Sequence, residues 1–182
     1  MIEVALPVKI RRYQDSDLNN LAELYRDFFN EMREWQGWEK LKLSHEEAVE
    51  TAKDSLKDNS WVFVAENKGR LIGFARLQFW DGAYFVREVH VAHSWRRKRV
   101  GSELLSSCED LVRKKGETSI YLTVEPKHHK SLKFLIHNGY DTLNMLELRK
   151  DFEETDMLMR QGEADILGHK LRLLKRKTRN HF

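Results

Sequence analysis

The chain has 182 residues, 41% of them apolar and 34% charged, the balance of a folded domain with a real core rather than of a disordered segment. Its formal net charge of +3 is too small for a general polyanion binder, so any basic site has to be local. A single cysteine, Cys108, excludes an internal disulfide framework and suits a reducing compartment; no apolar run approaches the 18 residues of a membrane span, and the first fourteen residues lack the apolar core of a secretory signal. The expectation is a soluble, cytoplasmic protein without a membrane partner.

In chain order, VKIRRY (8–13) reads as a short strand. A helix follows over 15–32, with Leu18, Leu21, Leu24, Tyr25, Phe28 and Met32 at helical spacing behind the capping cluster Asp15 and Ser16. Gly37 breaks it and leaves Trp35 and Trp38 on a loop. SHEEAVETAKDSL (44–56) opens on the capping box Ser44 to Glu47 and is a second helix. Three strands then follow closely: WVFVAE and RLIGFARLQFW around a turn at Asn67–Gly69, and AYFVREVHVA after Asp81-Gly82. GSELLSSCEDLVRKKG (101–116) carries Leu104, Leu105, Cys108, Leu111 and Val112 on one stripe. TSIYLTVE is a strand, HHKSLKFLIHNGY a helix ending at Gly139, and DTLNMLELRKDF a final strand. The order β-α-α-β-β-β-α-β-α-β over about 8–150 predicts a mixed α/β sheet with helices on both faces. Residues 151–182 hold six acidic residues against Arg160 up to 169 and six basic residues with no acid from 170 onward; they are expected to be a charged helical extension beyond a 1–150 domain.

SWRRKRVGSELL lies where a strand gives way to a helix. The first N–H groups of a helix have no intrahelical partner, and the helix dipole adds positive character there, so the place suits a pyrophosphate. Gly101 lets backbone approach a ligand closely, Ser102 offers a hydroxyl, and Arg96, Arg97, Lys98 and Arg99 supply charge. In these residues the sequence resembles the GCN5-related N-acetyltransferase (GNAT) superfamily, whose signature Gln/Arg-x-x-Gly-x-Gly/Ala is matched by Arg96-Arg97-Lys98-Arg99-Val100-Gly101. The element order and the FLIHNGY helix end match as well.

The resemblance implies acetyl-CoA as cosubstrate, no metal, a primary amine on a small molecule or a protein as acceptor, and, as in many members, a homodimer. It also implies direct acyl transfer, with the strand N–H groups of Val89 and Val91 and the turn from Arg96 to Ser102 holding the cofactor. Glu88 is the implied general base with His90 its neighbour, because an ammonium has to lose a proton before nitrogen attacks a thioester. Strand alternation places Tyr84, Val86, Glu88 and His90 on one face, subject to a bulge. Trp35, Trp38 and Tyr84 are candidates to line the acceptor pocket.

Two departures stand out. Arg99 occupies the usual glycine, and Leu135 occupies the slot of the tyrosine that protonates the departing thiolate; Tyr140 and His137 are alternatives for that acid. Cys108 reads as core, and the histidines show no metal-ligand spacing. The alternatives are an acyl-CoA-binding regulatory module without efficient chemistry and a nucleic-acid binder using the basic tail, the latter poorly served by a tail whose one aromatic residue is Phe182.

Overall fold

A computed structural model describes residues 8–35, 39–57, 59–150, 152 and 158–176. The fold is mixed α/β. A five-stranded sheet has the order β1 (Lys9–Arg12), β2 (Ser60–Asn67), β3 (Arg70–Trp80), β4 (Ala83–Val91) and β5 (Tyr121–Leu122). Each neighbouring pair is antiparallel except β4 and β5, which run parallel. The helices are α1 (Leu18–Trp35), α2 (His45–Ser55), α3 (Val100–Lys114) and α4 (His129–His137). The two hairpin turns, Lys68-Gly69 and Asp81-Gly82, have positive φ at both residues, the geometry that matches the twist of paired strands.

The chain divides into two compact units, 1–30 with 41–123 and 31–40 with 124–182. In the first, α1 and α2 lie on one face of the sheet, where Leu21, Ala22, Leu24, Tyr25, Ala48 and Ala52 close over Val62, Val64, Leu71 and Phe74. Helix α3 packs against β2, β3 and β4 with the stripe Val100, Leu104, Leu105, Cys108 and Val112 buried. Burial pushes the Cys108 thiol up to about 12, so this cysteine is an apolar filler and not a nucleophile.

An ion network fastens β1 to the start of α1. The Arg11 guanidinium donates to both oxygens of Asp17 at 2.6 and 2.8 Å and to Glu66 of β2 at 2.7 Å, and the Gln14 N–H donates to Asp17 at 2.9 Å. Arg11 holds the Asp17 carboxyl below its ordinary range against the opposing effect of burial. A carboxylate with a depressed folded pKa contributes stability above its unfolded pKa and loses it as pH falls through the folded value. Asp17→Asn is therefore expected to cost about 2 kcal/mol at pH 7. The gap from wild type should narrow below about pH 4, where wild type loses the same charge. Urea denaturation at pH 7 and pH 3 checks this, and an equal gap at both pH values counts against it.

The second unit departs from the sequence expectation twice. Residues 158–176 are not helical: β6 (Leu158–Ile166) and β7 (His169–Arg176) form an antiparallel hairpin. Its turn, Leu167-Gly168, has φ of 53° and 79°, and Gly162 at φ 100° lies where the register shifts; both glycines disfavour a helix. The opposed charge blocks meet across the hairpin as Glu163 opposite Arg172 and Asp165 opposite Lys170. Within the strand expected at 141–152, residues 141–150 are irregular, and Leu143, Met145, Leu146 and Leu148 are exposed. Alternating residues make a strand only where another strand completes the hydrogen-bond ladder.

Candidate active site

Strand β4 is closed on one edge along most of its length and on the other only at its start. β3 pairs with it from Trp80 opposite Ala83 to Gly73 opposite Val91, whereas β5 pairs only at Phe85 and Val86. The Ala92 N–H donates to the Ile72 carbonyl at 2.9 Å, which sets the alternation of the antiparallel ladder. By that alternation the N–H and C=O groups of Val89 and Val91 point away from β3, toward the edge that β5 has left. The Val91 carbonyl receives the Arg96 Nε–H at 2.9 Å. A row of outward backbone N–H groups thus leads to the turn before α3.

That turn ends in a helix start without a side-chain cap. Arg99 is the N-cap in left-handed geometry (φ 65°, ψ −3°) and makes no capping hydrogen bond, and the Glu103 N–H reaches the Arg99 carbonyl at 3.1 Å. In α2, by contrast, Ser44 accepts from the Glu47 N–H and the Glu47 side chain accepts from the Ser44 N–H. The amides of Val100, Gly101 and Ser102 therefore begin a helix without a side-chain cap, and the acidic residue of its first turn is Glu103. Arg97, Lys98 and Arg99 are exposed around this end, with the Lys98 ammonium 5.1 Å from the Trp95 ring centroid, while Arg96 is tied back to β4. These residues fit a bound pyrophosphate. Arg97 (φ 62°) and Arg99 are both left-handed without being glycine, a strain of roughly 1–2 kcal/mol each.

The bulge in β4 changes which side chains share a face. The register shifts between Arg76 and Leu77, so that Arg76 opposes Glu88 while Leu77 opposes Val86, leaving Arg87 as the extra residue. Glu88 and His90 accordingly share the α1 face with Phe85. Tyr84 and Val86 turn to the α3 face, a correction to the unbroken alternation. Tyr84 is buried there against Trp61 and Phe79, at 5.7 and 4.9 Å between ring centroids.

Glu88 is held by Arg76, which donates from Nη2 to Oε1 at 2.7 Å and from Nε to Oε2; both side chains are 15% exposed. Burial works to lower the Arg76 pKa, but the bonds and charge of Glu88 raise it above the ordinary value. Beside the pair is Tyr25 of α1, whose buried hydroxyl lies near Ser55 and Arg76 and whose pKa is pushed up by burial and by the charge of Glu88. His90 is buried between the rings of Phe28 and Phe74, 5.9 and 6.0 Å away, which suits a positioning role better than exchange of protons with solvent. Neither Arg76 nor Tyr25 stands out as a site residue in the sequence reading. The available signal was the lone arginine inside the apolar strand RLIGFARLQFW, which needs a counter-ion once buried.

Of the other candidates, Trp35 ends α1 rather than lying on a loop, and in the second unit its ring stacks on His128 at 4.7 Å. Burial lowers the His128 pKa. Trp38 lies outside the described residues. Leu135 is buried in α4, and its carbonyl accepts the Tyr140 N–H at 3.0 Å. Among the described residues no group of three or more His, Cys, Asp or Glu is placed to hold a metal, and no helix is long and apolar enough to cross a membrane.

The geometry agrees with comparison to known proteins. Residues 19–140 match the profile of the acetyltransferase (GNAT) family. The chain belongs to the GNAT acetyltransferase family. Its fold is shared with several solved structures. The aminoglycoside acetyltransferase AAC(6')-Iy, solved with a CoA-linked bisubstrate analogue, superposes with a TM-score of 0.63 at 17% identity over 80% of this chain and 98% of that one. A protein described as a transcriptional regulator from Bacillus halodurans C-125 gives 0.61 at 21% identity, over 79% and 100%. An acetyltransferase from Trypanosoma brucei gives 0.58 at 22%, over 80% and 100%. No curated protein matches the sequence significantly. At these identities the likeness of this GNAT acetyltransferase to its structural neighbours is one of fold.

Proposed function

We propose that this GNAT acetyltransferase uses acetyl-CoA to acetylate a primary amine by direct attack on the thioester. The observation that carries it is the half-open edge of β4, which runs from Glu88 at the bulge to the uncapped, basic start of α3. Acetyl-CoA supplies the activated acyl group. The amides of Val100, Gly101 and Ser102 bind its pyrophosphate, with Arg97, Lys98 and Arg99 adding charge at the exposed rim. Arg96, bonded to Val91, fixes the turn against the strand. The N–H groups of Val89 and Val91 face the pantetheine arm and polarise the thioester carbonyl.

The incoming amine forms the C–N bond, the C–S bond breaks, and the electron pair leaves on sulfur. Glu88 accepts the ammonium proton through a water; both its oxygens bond Arg76, but a carboxylate has lone pairs to spare. His90 supports the strand from below. A second reading, acyl-CoA binding without efficient turnover, is favoured by the sequence, in which Leu135 stands in the slot where the resembled family has a proton-donating tyrosine. The structural neighbours include enzymes acting on aminoglycosides, and a small-molecule amine is the acceptor class proposed here.

Calorimetric titration with acetyl-CoA, followed by turnover against an amine panel, tests the proposal; absence of binding at high micromolar ligand would sink it. With turnover established, Glu88→Gln is expected to lower kcat/KM about 100-fold at pH 7 and far less near pH 10, where a sizeable fraction of the amine is neutral without help. An unchanged pH profile removes Glu88 from the base role.

A further inference from the structure

The bulge that turns Glu88 toward the α1 face also places beside it an arginine that no carboxylate among the described residues answers. Arg87, the extra residue of β4, is exposed, yet its orientation is fixed. Its Nε–H donates to the Gln78 side-chain oxygen at 2.8 Å, and its guanidinium carbon lies 5.4 Å from the ring centroids of both Trp80 and Phe85. Trp80 and Phe85 pack edge to face at 5.9 Å, and Phe85 continues onto Tyr121 at 5.5 Å, while Trp80 is 53% exposed. Two other arginines of the sheet have carboxylates, Arg11 with Asp17 and Glu66 and Arg76 with Glu88, whereas Arg12 lies over the single ring of Phe63. No carboxylate among the described residues pairs with Arg87. The neighbouring Asp81 sits in the exposed turn after β3.

A guanidinium stacked on two rings, with its terminal nitrogens left for a partner, is preorganised for an anion, because little side-chain freedom is lost on binding. Its place in the strand says which anion. The thioester arm, on the proposed function, starts from α3 and follows the open edge of β4 past Val91 and Val89. It has to stop where β5 closes that edge at Val86, one residue before Arg87. The acceptor nitrogen must meet it there, beside Glu88. That carboxylate is already neutralised by Arg76, so the local charge left over is that of Arg87. A polycationic amine would meet repulsion at this position without a compensating acid.

We infer that the acceptor is an amine carrying an anionic group, a carboxylate or phosphate, that pairs with Arg87 while its carbon skeleton lies against Trp80 and Phe85. This rests on the acetyltransferase reading of the same site and specifies its substrate class. The test compares kcat/KM for acetyl transfer to 4-aminobutyrate, phenylalanine and phosphoethanolamine with that to butylamine, phenethylamine and ethanolamine, and with that to spermidine. Wild type is expected to favour each anionic amine over its counterpart without the anionic group, and over spermidine, by about tenfold or more. Arg87→Gln should remove most of the preference, and Arg87→Glu should invert it toward spermidine, with the acetyl-CoA affinity of both variants unchanged. A wild type that prefers spermidine, or a ranking unmoved by charge at position 87, overturns the inference while leaving the acetyltransferase reading intact. Failure to bind acetyl-CoA overturns both.

Discussion

Ser102→Glu is expected to weaken acetyl-CoA binding by about two orders of magnitude without lowering the stability of the protein. Ser102 is the third residue of α3, in a turn whose amide groups no side chain caps. A carboxylate in the first turn of a helix is favourable for the fold itself, by about 0.3–1 kcal/mol, because it answers the dipole. The same carboxylate would stand within a few ångströms of a bound pyrophosphate. At an effective dielectric constant of about 20, two like charges about 4 Å apart repel by about 4 kcal/mol before screening by salt. A net loss near 3 kcal/mol corresponds to roughly 100-fold in Kd. The opposite signs of the two effects separate a ligand-binding helix end from a merely structural one. Isothermal titration and thermal melting of the same preparation read both. Affinity within threefold of wild type would show that the pyrophosphate lies elsewhere.

The second large effect is expected at Gly73. This residue of β3 opposes Val91, and a Cβ built on it would lie 2.7 Å from the His90 carbonyl oxygen, 3.3 Å from Leu104 Cδ1 and 3.4 Å from the Val91 Cα. Two of those three neighbours are backbone, which cannot swing aside as a side chain can. Gly73→Ala should therefore force β4 and α3 away from β3, at a cost of about 3 kcal/mol and a fall in Tm of roughly 10 °C. Because the strand displaced is the one that carries the N–H groups of Val89 and Val91, acetyl-CoA affinity should fall with it. Scanning calorimetry and titration report the two losses. A variant that melts within 2 °C of wild type would mean that the close approach of α3 to the sheet is not required.

Much of the fold was legible because its signals are local. The capping box at Ser44, the two hairpin turns and the buried stripe of Leu104, Leu105, Cys108 and Val112 depend on residues close in sequence, and each forms as its pattern dictates. The basic turn before α3 was legible for the same reason. The second unit was misread where charge counts replaced periodicity. Acidic and basic blocks around Gly168 fit antiparallel strands that face each other, and two glycines argue against a helix. Gly162 and the alternation of 163–172 carried that signal.

By itself the sequence determined the order of strands and helices along the chain through residue 137, the position of the basic turn before α3 and the family resemblance, because each follows from a continuous stretch of chain. Only the tertiary structure decided the register of β4. A single bulge residue rotates Tyr84 and Val86 away from Glu88 and brings Arg76, twelve residues distant, onto both oxygens of that carboxylate. It also leaves Arg87 over two rings, with no carboxylate partner among the described residues. Strand pairing joins residues far apart in sequence, and a one-residue shift there reverses every side chain beyond it.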